Sequence, residues 1–347
     1  MKNKQIQVVS GKPVLQDDFF RIISYLRLSL TDRCNLRCMY CMTEGQPHES
    51  FTKLEHQDLF TYEELIRVVR IAVDLGISKL RLTGGEPLSR RNVMYLVRQL
   101  SKIDKLDDIR LTTNGVLLTK YAHDLYAAGV RKVNISLDTL KRDRFKVICG
   151  RDYFDVVWQG IEKVLKMGFF PVKLNMVVMR GINDDELVDF ARLSMEKNLQ
   201  VRFIEYMPIG NSSRWREDTF FPSDEIIERI SSLGTLNPLP VMNLDGPARL
   251  YRINNGAGSV GMISPLSHHF CKSCNRLRLT AEGKLRPCLL SDEEIDLRKI
   301  VRSNGTDGDI RRVIQTAVRK KPVGHHLSDR QNGMGNDCNG IMSRIGG

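Results

Sequence analysis

Apolar residues follow two rhythms along the first two-thirds of the chain. Short apolar runs of strand length centre on residues 26–30, 79–82, 109–112, 133–137, 172–178 and 201–204. Between them apolar side chains recur three or four positions apart, as at Leu65, Val69 and Ala72, at Val93, Leu96 and Leu100, and at Val157, Ile161 and Leu165. Gly76, Gly129 and Gly168 stand where helix C-caps belong. The pattern predicts a strand–helix unit repeated about six times. Such an alternation folds as a parallel sheet clad in helices, either open and doubly wound or curled into a closed or partial barrel. In both, chemistry gathers at the carboxyl ends of the strands. After about residue 210 the rhythm stops, Gly, Asn and Pro become frequent, and a boundary is expected there. From Pro322 the chain reads as an irregular, Gly-rich tail ending in Gly346 and Gly347.

A length of 347 residues agrees with about two units at roughly 150 residues per domain. With 41% hydrophobic and 27% charged residues, a mainly disordered or collagen-like chain is excluded. No apolar run approaches the roughly 18 residues needed to cross a bilayer, and the first residues lack a signal-peptide core, so a reducing cytoplasm is the expected location. The net charge of +12 favours an anionic partner. Half of that excess lies beyond residue 269, where 15 basic residues face 9 acidic ones. Of the eight cysteines, six fall into two tight groups, which points to metal rather than to a disulfide scaffold.

The first group, TDRCNLRCMYCM, directly follows the first strand and spaces Cys34, Cys38 and Cys41 as C-x-x-x-C-x-x-C. One loop can wrap three such thiolates around a small inorganic centre. Structural zinc wants a fourth ligand, which His48 or His56 would have to supply. A [4Fe-4S] cube on three cysteines instead leaves one iron open to a small molecule. The spacing resembles the signature of the radical S-adenosylmethionine (SAM) enzymes. In that superfamily SAM chelates the open iron and is cleaved to a 5′-deoxyadenosyl radical. Three later segments, TGGEP at 83–87, TTNG at 112–115 and NISLD at 134–138, end successive strands in the order that superfamily shows. The resemblance implies cofactor contacts at Tyr40, Gly85, Ser136 and Met207. Asp138 then either orients the cofactor ribose or caps the following helix, and Glu86 is a cofactor or loop contact.

The second group spaces Cys271, Cys274 and Cys288 as C-x-x-C, thirteen residues, C. Cys338, His268 or His269 would complete a zinc ribbon. Against zinc stands the basicity of the loop between the second and third cysteines, where Arg276, Arg278, Lys284 and Arg286 would suit an anionic substrate beside an open iron. Together, LRLSLTDRCNLRCMYCM, KLRLTGGEPL, VRFIEYMPIG, FCKSCNRLRLTAEGKLRPCL and the terminal Gly-Gly resemble the GTP 3′,8-cyclase family of molybdenum cofactor biosynthesis over nearly the whole chain.

That resemblance implies a partial (βα)6 TIM-like barrel of the radical SAM type over residues 1–210, a C-terminal region carrying a second iron–sulfur cluster and the substrate site over 211–321, and a tail over 322–347. It implies two [4Fe-4S] clusters, SAM, and conversion of GTP to (8S)-3′,8-cyclo-7,8-dihydroguanosine 5′-triphosphate through a C3′ radical that attacks C8. Its GTP contacts fall on Arg27, Arg81, Thr112, Lys173, Arg276 and Arg278. A triphosphate carries about four negative charges, which guanidinium forks match. Lys79 and Arg81, two apart on one strand, share a face. Arg202 is assigned no firm role, and Cys149 reads as a small buried apolar residue. The family also implies a flavodoxin- or ferredoxin-type electron donor, hand-over to cyclic pyranopterin monophosphate synthase, a homodimer, and a Gly-Gly end that reaches the active site. Two other readings fit the residues: another radical SAM enzyme with an auxiliary cluster, acting on peptide or RNA, and a zinc protein that binds nucleic acid. The strand–helix core and an aromatic content of 7% argue against nucleic acid.

Overall fold

The computed structural model describes residues 7–9, 12–41, 53–210, 215–240, 246–325, 338 and 340–346. A hairpin of β1 (Gln7–Val9) and β2 (Lys12–Val14) comes first. Then β3 (Tyr25–Ser29), α1 (Tyr62–Asp74), β4 (Lys79–Thr83), α2 (Val93–Leu100), β5 (Asp108–Thr113) and α3 (Leu118–Ala127) alternate. The series continues with β6 (Lys132–Ser136), α4 (Arg142–Cys149), α5 (Phe154–Lys166), β7 (Val172–Val178), α6 (Leu187–Glu196) and β8 (Gln200–Glu205). Beyond it lie α7 (Ser223–Ile230), β9 (Leu236–Pro238), β10 (Arg249–Ile253) and β11 (Ser259–Ile263). The chain closes with β12 (Arg276–Leu279), β13 (Lys284–Arg286), β14 (Ile295–Asp296), α8 (Leu297–Arg302), α9 (Asp307–Arg319) and α10 (Met342–Ile345). The six predicted strands are thus β3 to β8, each within a residue or two of its apolar run.

The chain divides into two compact units. The first comprises residues 1–34, 47–110 and 271–347, with strand order β14-β13-β12-β3-β4. In it β12 and β4 flank β3 in parallel, while β13 and β14 follow antiparallel. The second comprises residues 35–46 and 111–270, with strand order β6-β7-β8-β11-β10-β9. There β7 pairs in parallel with β6 and β8, and β11 adds in parallel to β8. Among the described residues neither order closes on itself, with β14 at the end of the first and β9 at the end of the second.

Local chemistry sets the helix boundaries. Thr61 caps α1 in a box with Glu64, each side chain accepting the other's backbone N–H, and Thr306 with Asp309 does the same for α9. Gly76, Gly129 and Gly168 adopt φ of 113°, 87° and 80°, the left-handed turn that ends a helix where no side chain resists it. Helix α1 buries Leu65, Ile66, Val68, Val69, Ile71, Ala72 and Val73, so its apolar stripe forms the core beneath it.

The strands alternate in a way that places the chemistry. In β4, Leu80 and Leu82 lie on one face and Lys79, Arg81 and Thr83 on the other, yet all five are buried. In β7, Val172, Leu174 and Met176 alternate with Lys173 and Asn175. Burial on both faces is usual for parallel strands. Here one of the buried faces is polar and charged. The basic stretch between Cys274 and Cys288, read from sequence as a loop, is the β12–β13 hairpin, because Leu277, Leu279 and Leu285 alternate with its cations and are buried.

Candidate functional site

The segment ahead of the first cysteine group is gripped by the TGGEP turn. The Gly85 N–H donates to the Thr31 carbonyl at 2.6 Å, and the Glu86 N–H to the Arg33 carbonyl at 2.8 Å. A Cβ on Gly85 would stand 2.3 Å from the Arg33 carbonyl oxygen, and one on Gly84, whose φ is 147°, 2.6 Å from that of Thr31. The glycines therefore allow a close approach, and what approaches is the protein's own backbone just before Cys34. Glu86, fully buried, accepts from the Leu88 N–H at 3.0 Å.

Cys34, Cys38 and Cys41 are all half-buried. In the second unit, the stretch bearing Cys38 is tied to the end of α4: Arg37 N–H donates to the Cys149 carbonyl at 2.8 Å and Met39 N–H to that of Ile148 at 2.9 Å. The Cys149 side chain hydrogen-bonds Cys38, and this bond together with burial pushes its thiol pKa up. Sequence reading gave Cys149 no role, and no local pattern marks it. Asn114 of the TTNG turn donates to the Asn35 side chain at 2.7 Å. Tyr40 donates its hydroxyl to Asp138 at 2.8 Å. Burial, then the charges of Asp138, Cys38 and Cys41, push the phenol well above its usual range. Burial raises Asp138 to about 6, against the N–H of Val177 and the Tyr40 hydroxyl, which hold it down. Asp138 does not cap α4, whose N-cap position is Lys141 and which carries no side-chain cap. Of the alternative ligands, the His56 ring lies 3.4 Å from the Arg33 guanidinium, and His48 falls outside the described residues.

Ser136 ends β6 half-buried and pairs with Asn175; Lys173, 1% exposed, pairs with Asn134 on β6 and Gln200 on β8. Asn134, Ser136, Lys173, Asn175 and Arg202 thereby share one strand face of the second unit. On that face Asn134 Oδ1 and Asn175 Oδ1 are buried without a hydrogen-bond partner among the described residues, an expensive state in a finished interior. Arg202 donates to the Gln200 side chain at 3.3 Å. Thr112, on β5, and Met207, just past β8, are half-buried.

The first unit collects the cations. Register sets Arg276, Tyr25 and Lys79 in one row across β12, β3 and β4, and Arg278, Arg27 and Arg81 in the next. Arg81 and Arg278 are buried; Arg27 and Arg276 are half-buried. Burial, then the Arg27 and Arg276 charges, pull the Arg278 pKa well down, and burial pulls Arg27 to about 10 and Lys79 to about 7. Amid them sits Tyr25. Arg81 Nε donates to its hydroxyl, and the Lys79 ammonium lies 4.4 Å from its ring centroid. Burial pushes the Tyr25 phenol up, but the Arg81, Arg27 and Lys79 charges together outweigh it and hold the group at about 7. The cations thus favour the phenolate form of Tyr25. Nothing in the sequence distinguishes it from any strand tyrosine. The other two cations of the hairpin belong elsewhere: Arg286 pairs with Glu294 at 2.7 Å, and Lys284 with Glu294 at 3.0 Å.

Gly346 reaches this row. Its carbonyl accepts from Arg278 Nη1 at 2.5 Å, and a Cβ there would fall 2.1 Å from Thr83 Oγ1. Gly347 lies outside the described residues.

The second cysteine group also lies in the first unit, with Cys271, Cys274 and Cys288 half-buried. Burial raises Cys274, but Arg276 and Lys321 outweigh it and bring the thiol down to about 6. Burial raises Cys271, and the charges of Cys288 and Cys274 add to the rise. Three sulfur donors within reach of one another's charge, one already disposed to be a thiolate, fit a soft metal centre. Two side chains proposed to complete a zinc ribbon are otherwise engaged: His268 pairs with Asp224 at 2.9 Å, and the Cys338 thiol donates to the Leu289 carbonyl at 3.3 Å.

Residues 28–194 match the Radical SAM superfamily, and residues 199–327 match the family described as Molybdenum Cofactor Synthesis C. The GTP 3′,8-cyclase of Moorella thermoacetica is 48% identical over 334 residues, covering 96% of this chain and 100% of that protein. That of Thermodesulfovibrio yellowstonii is 47% identical, covering 89% and 95%. Among solved structures, Streptococcus suis SuiB bound to S-adenosylmethionine aligns with a TM-score of 0.56 at 15% identity, covering 84% of this chain and 68% of that one, a likeness of fold. On near-full-length identity approaching one half, the chain belongs to the GTP 3′,8-cyclase family of radical SAM enzymes.

Proposed function

We propose that the chain joins C3′ of GTP to C8 of its guanine, giving (8S)-3′,8-cyclo-7,8-dihydroguanosine 5′-triphosphate, the first step of molybdenum cofactor biosynthesis. The observation that carries this reading is the register row Arg278–Arg27–Arg81 with Arg276 and Lys79 one row below. Five cations gathered on two rows of one strand face suit a polyanion, and guanidinium forks suit phosphate oxygens.

In this reading Cys34, Cys38 and Cys41 hold one [4Fe-4S] cluster and Cys271, Cys274 and Cys288 a second. With SAM bound, the first supplies a 5′-deoxyadenosyl radical. Residues 1–210 provide the cofactor side, 211–321 the second cluster and substrate side, and 322–347 the tail. Tyr40, Gly85, Ser136 and Met207 line the cofactor. Arg27, Arg81, Arg276 and Arg278 hold the phosphates, while Thr112 and Lys173 orient the nucleoside. The polar face bearing Asn134, Ser136 and Asn175 supports this, because its unpaired buried oxygens want a ligand's donors. A flavodoxin- or ferredoxin-type protein supplies electrons, and the product passes to cyclic pyranopterin monophosphate synthase. The protein works as a cytoplasmic homodimer. Among the described residues no helix is long and apolar enough to cross a membrane.

Anaerobically reconstituted protein given SAM, reductant and GTP should bind about eight irons and yield the cyclised nucleotide. Release of 5′-deoxyadenosine from SAM with GTP left unchanged would point to a different substrate, and two zincs without iron would reject the chemistry altogether.

A further inference from the structure

Lys321 is 3% exposed, yet it is a lysine. Its Nζ donates to the Arg276 carbonyl at 2.8 Å and to the Pro287 carbonyl at 2.7 Å. Those carbonyls stand two residues after Cys274 and one before Cys288. A single ammonium therefore fastens both arms of the second cysteine trio. The residue after it is held in turn by Arg21, which pairs with Asp17 at 2.5 Å and donates to the carbonyls of Pro322 at 2.7 Å and Cys271 at 2.9 Å. All three cysteine-bearing stretches are thus anchored by two buried cations from outside the trio. Two backbone carbonyls cancel none of the charge on Lys321. Burial lowers the Lys321 pKa, and among the described residues the sulfurs of Cys274 and Cys288 are the negative groups that oppose this and favour its charged form. Burying an ammonium is costly unless something anionic answers it.

We propose that Lys321 is a positioning residue of the second metal centre, which fixes the arms bearing Cys274 and Cys288 and, through its buried charge, raises the reduction potential of the cluster they hold. The inference rests on the reading of that trio as an iron–sulfur site. A fixed positive charge beside a cluster stabilises its reduced form, so removing it lowers the potential.

The test is a potentiometric titration of the reconstituted full-length enzyme followed by electron paramagnetic resonance, with the cluster at Cys34, Cys38 and Cys41 as internal reference. Lys321→Gln keeps a donor for the two carbonyls but loses the charge; Lys321→Met keeps the buried stem, so that failure of one to fold leaves the other to decide. Lys321→Arg keeps the charge. The expected result is a downward shift of the second cluster alone in the Gln or Met variant, with Lys321→Arg close to wild type. An unmoved second potential, or equal shifts at both centres, overturns the proposal. Wild-type protein with no iron at Cys271, Cys274 and Cys288 overturns the reading of the site and this inference with it. Iron present with its potential unmoved overturns this inference alone.

Discussion

Arg278 donates from Nη1 to the carbonyl of Gly346, 68 positions further along the chain, at 2.5 Å. Gly346 is thereby seated on the same row of guanidiniums that we assign to the triphosphate.

A side chain at Gly346 has nowhere to go. Its φ is 82°, and a Cβ would meet Thr83 Oγ1 at 2.1 Å and the Ser29 Cβ at 3.3 Å. Gly346→Ala should unseat the tail and cut cyclised product at least about tenfold, with little change in thermal stability because a single terminal turn is affected. Equal product from wild type and variant would remove the tail from the site. Arg278→Ala loses both the tail contact and a buried cation, and should weaken GTP binding at least about tenfold, measured by equilibrium dialysis without reductant.

Gly85→Ala probes the segment ahead of the first cysteine group. Its Cβ would stand 2.3 Å from the Arg33 carbonyl oxygen and 2.6 Å from the carbonyl carbon, both backbone atoms next to Cys34. The variant should lose iron from the first trio while the second keeps its complement, as read by iron analysis and Mössbauer spectra. Full iron at both centres would show that the segment yields without disturbing Cys34.

Tyr25 gives a pH signature. The phenol titrates near 10.0 in an unfolded chain and at about 7 when folded. Between those values the unfolded chain binds more protons, so stability rises with pH. The contribution is full above about pH 10 and is lost as pH falls through about 7. Lys79, lowered from 10.5 to about 7, acts in the same direction. The urea midpoint of wild type should therefore rise from pH 7 to pH 9, and less steeply in Tyr25→Phe. Parallel slopes would mean that the phenol stays protonated among its cations.

Glu205 tests the second unit. Buried at the end of β8, its carboxylate accepts from the N–H groups of Ser223 at 3.0 Å, Leu266 at 2.9 Å and Ser267 at 3.1 Å. Glu205→Ala leaves the buried Ser223 N–H and the part-buried N–H groups of Leu266 and Ser267 without this acceptor, and should cost about 2 kcal/mol in chemical denaturation. A loss below about 1 kcal/mol would show that water replaces the carboxylate.

Much of this was legible in the residues. The apolar runs placed β3 to β8 because a parallel strand between helices is apolar on its helix-facing side, a property each segment carries alone. The C-capping glycines were readable for the same local reason. Less visible were β11 and β12, which join β8 and β3 in parallel, since short strands in Gly- and Arg-rich sequence announce no partner. The basic hairpin shows the same limit. Composition counted four cations between two cysteines, while the fold gave Lys284 and Arg286 to Glu294 and left Arg276 and Arg278 in register with Tyr25 and Arg27.

The sequence by itself determined the order of elements, the two cysteine trios and the family, because periodicity, spacing and motif are properties of neighbours along the chain. Only the tertiary structure decided which polar groups answer one another: Tyr25 among the arginines, Cys149 on Cys38, Lys321 between the arms of the second trio, and Gly346 under Arg278. The energy of a buried charge depends on the groups that surround it in space, and those lie tens to hundreds of residues away in sequence.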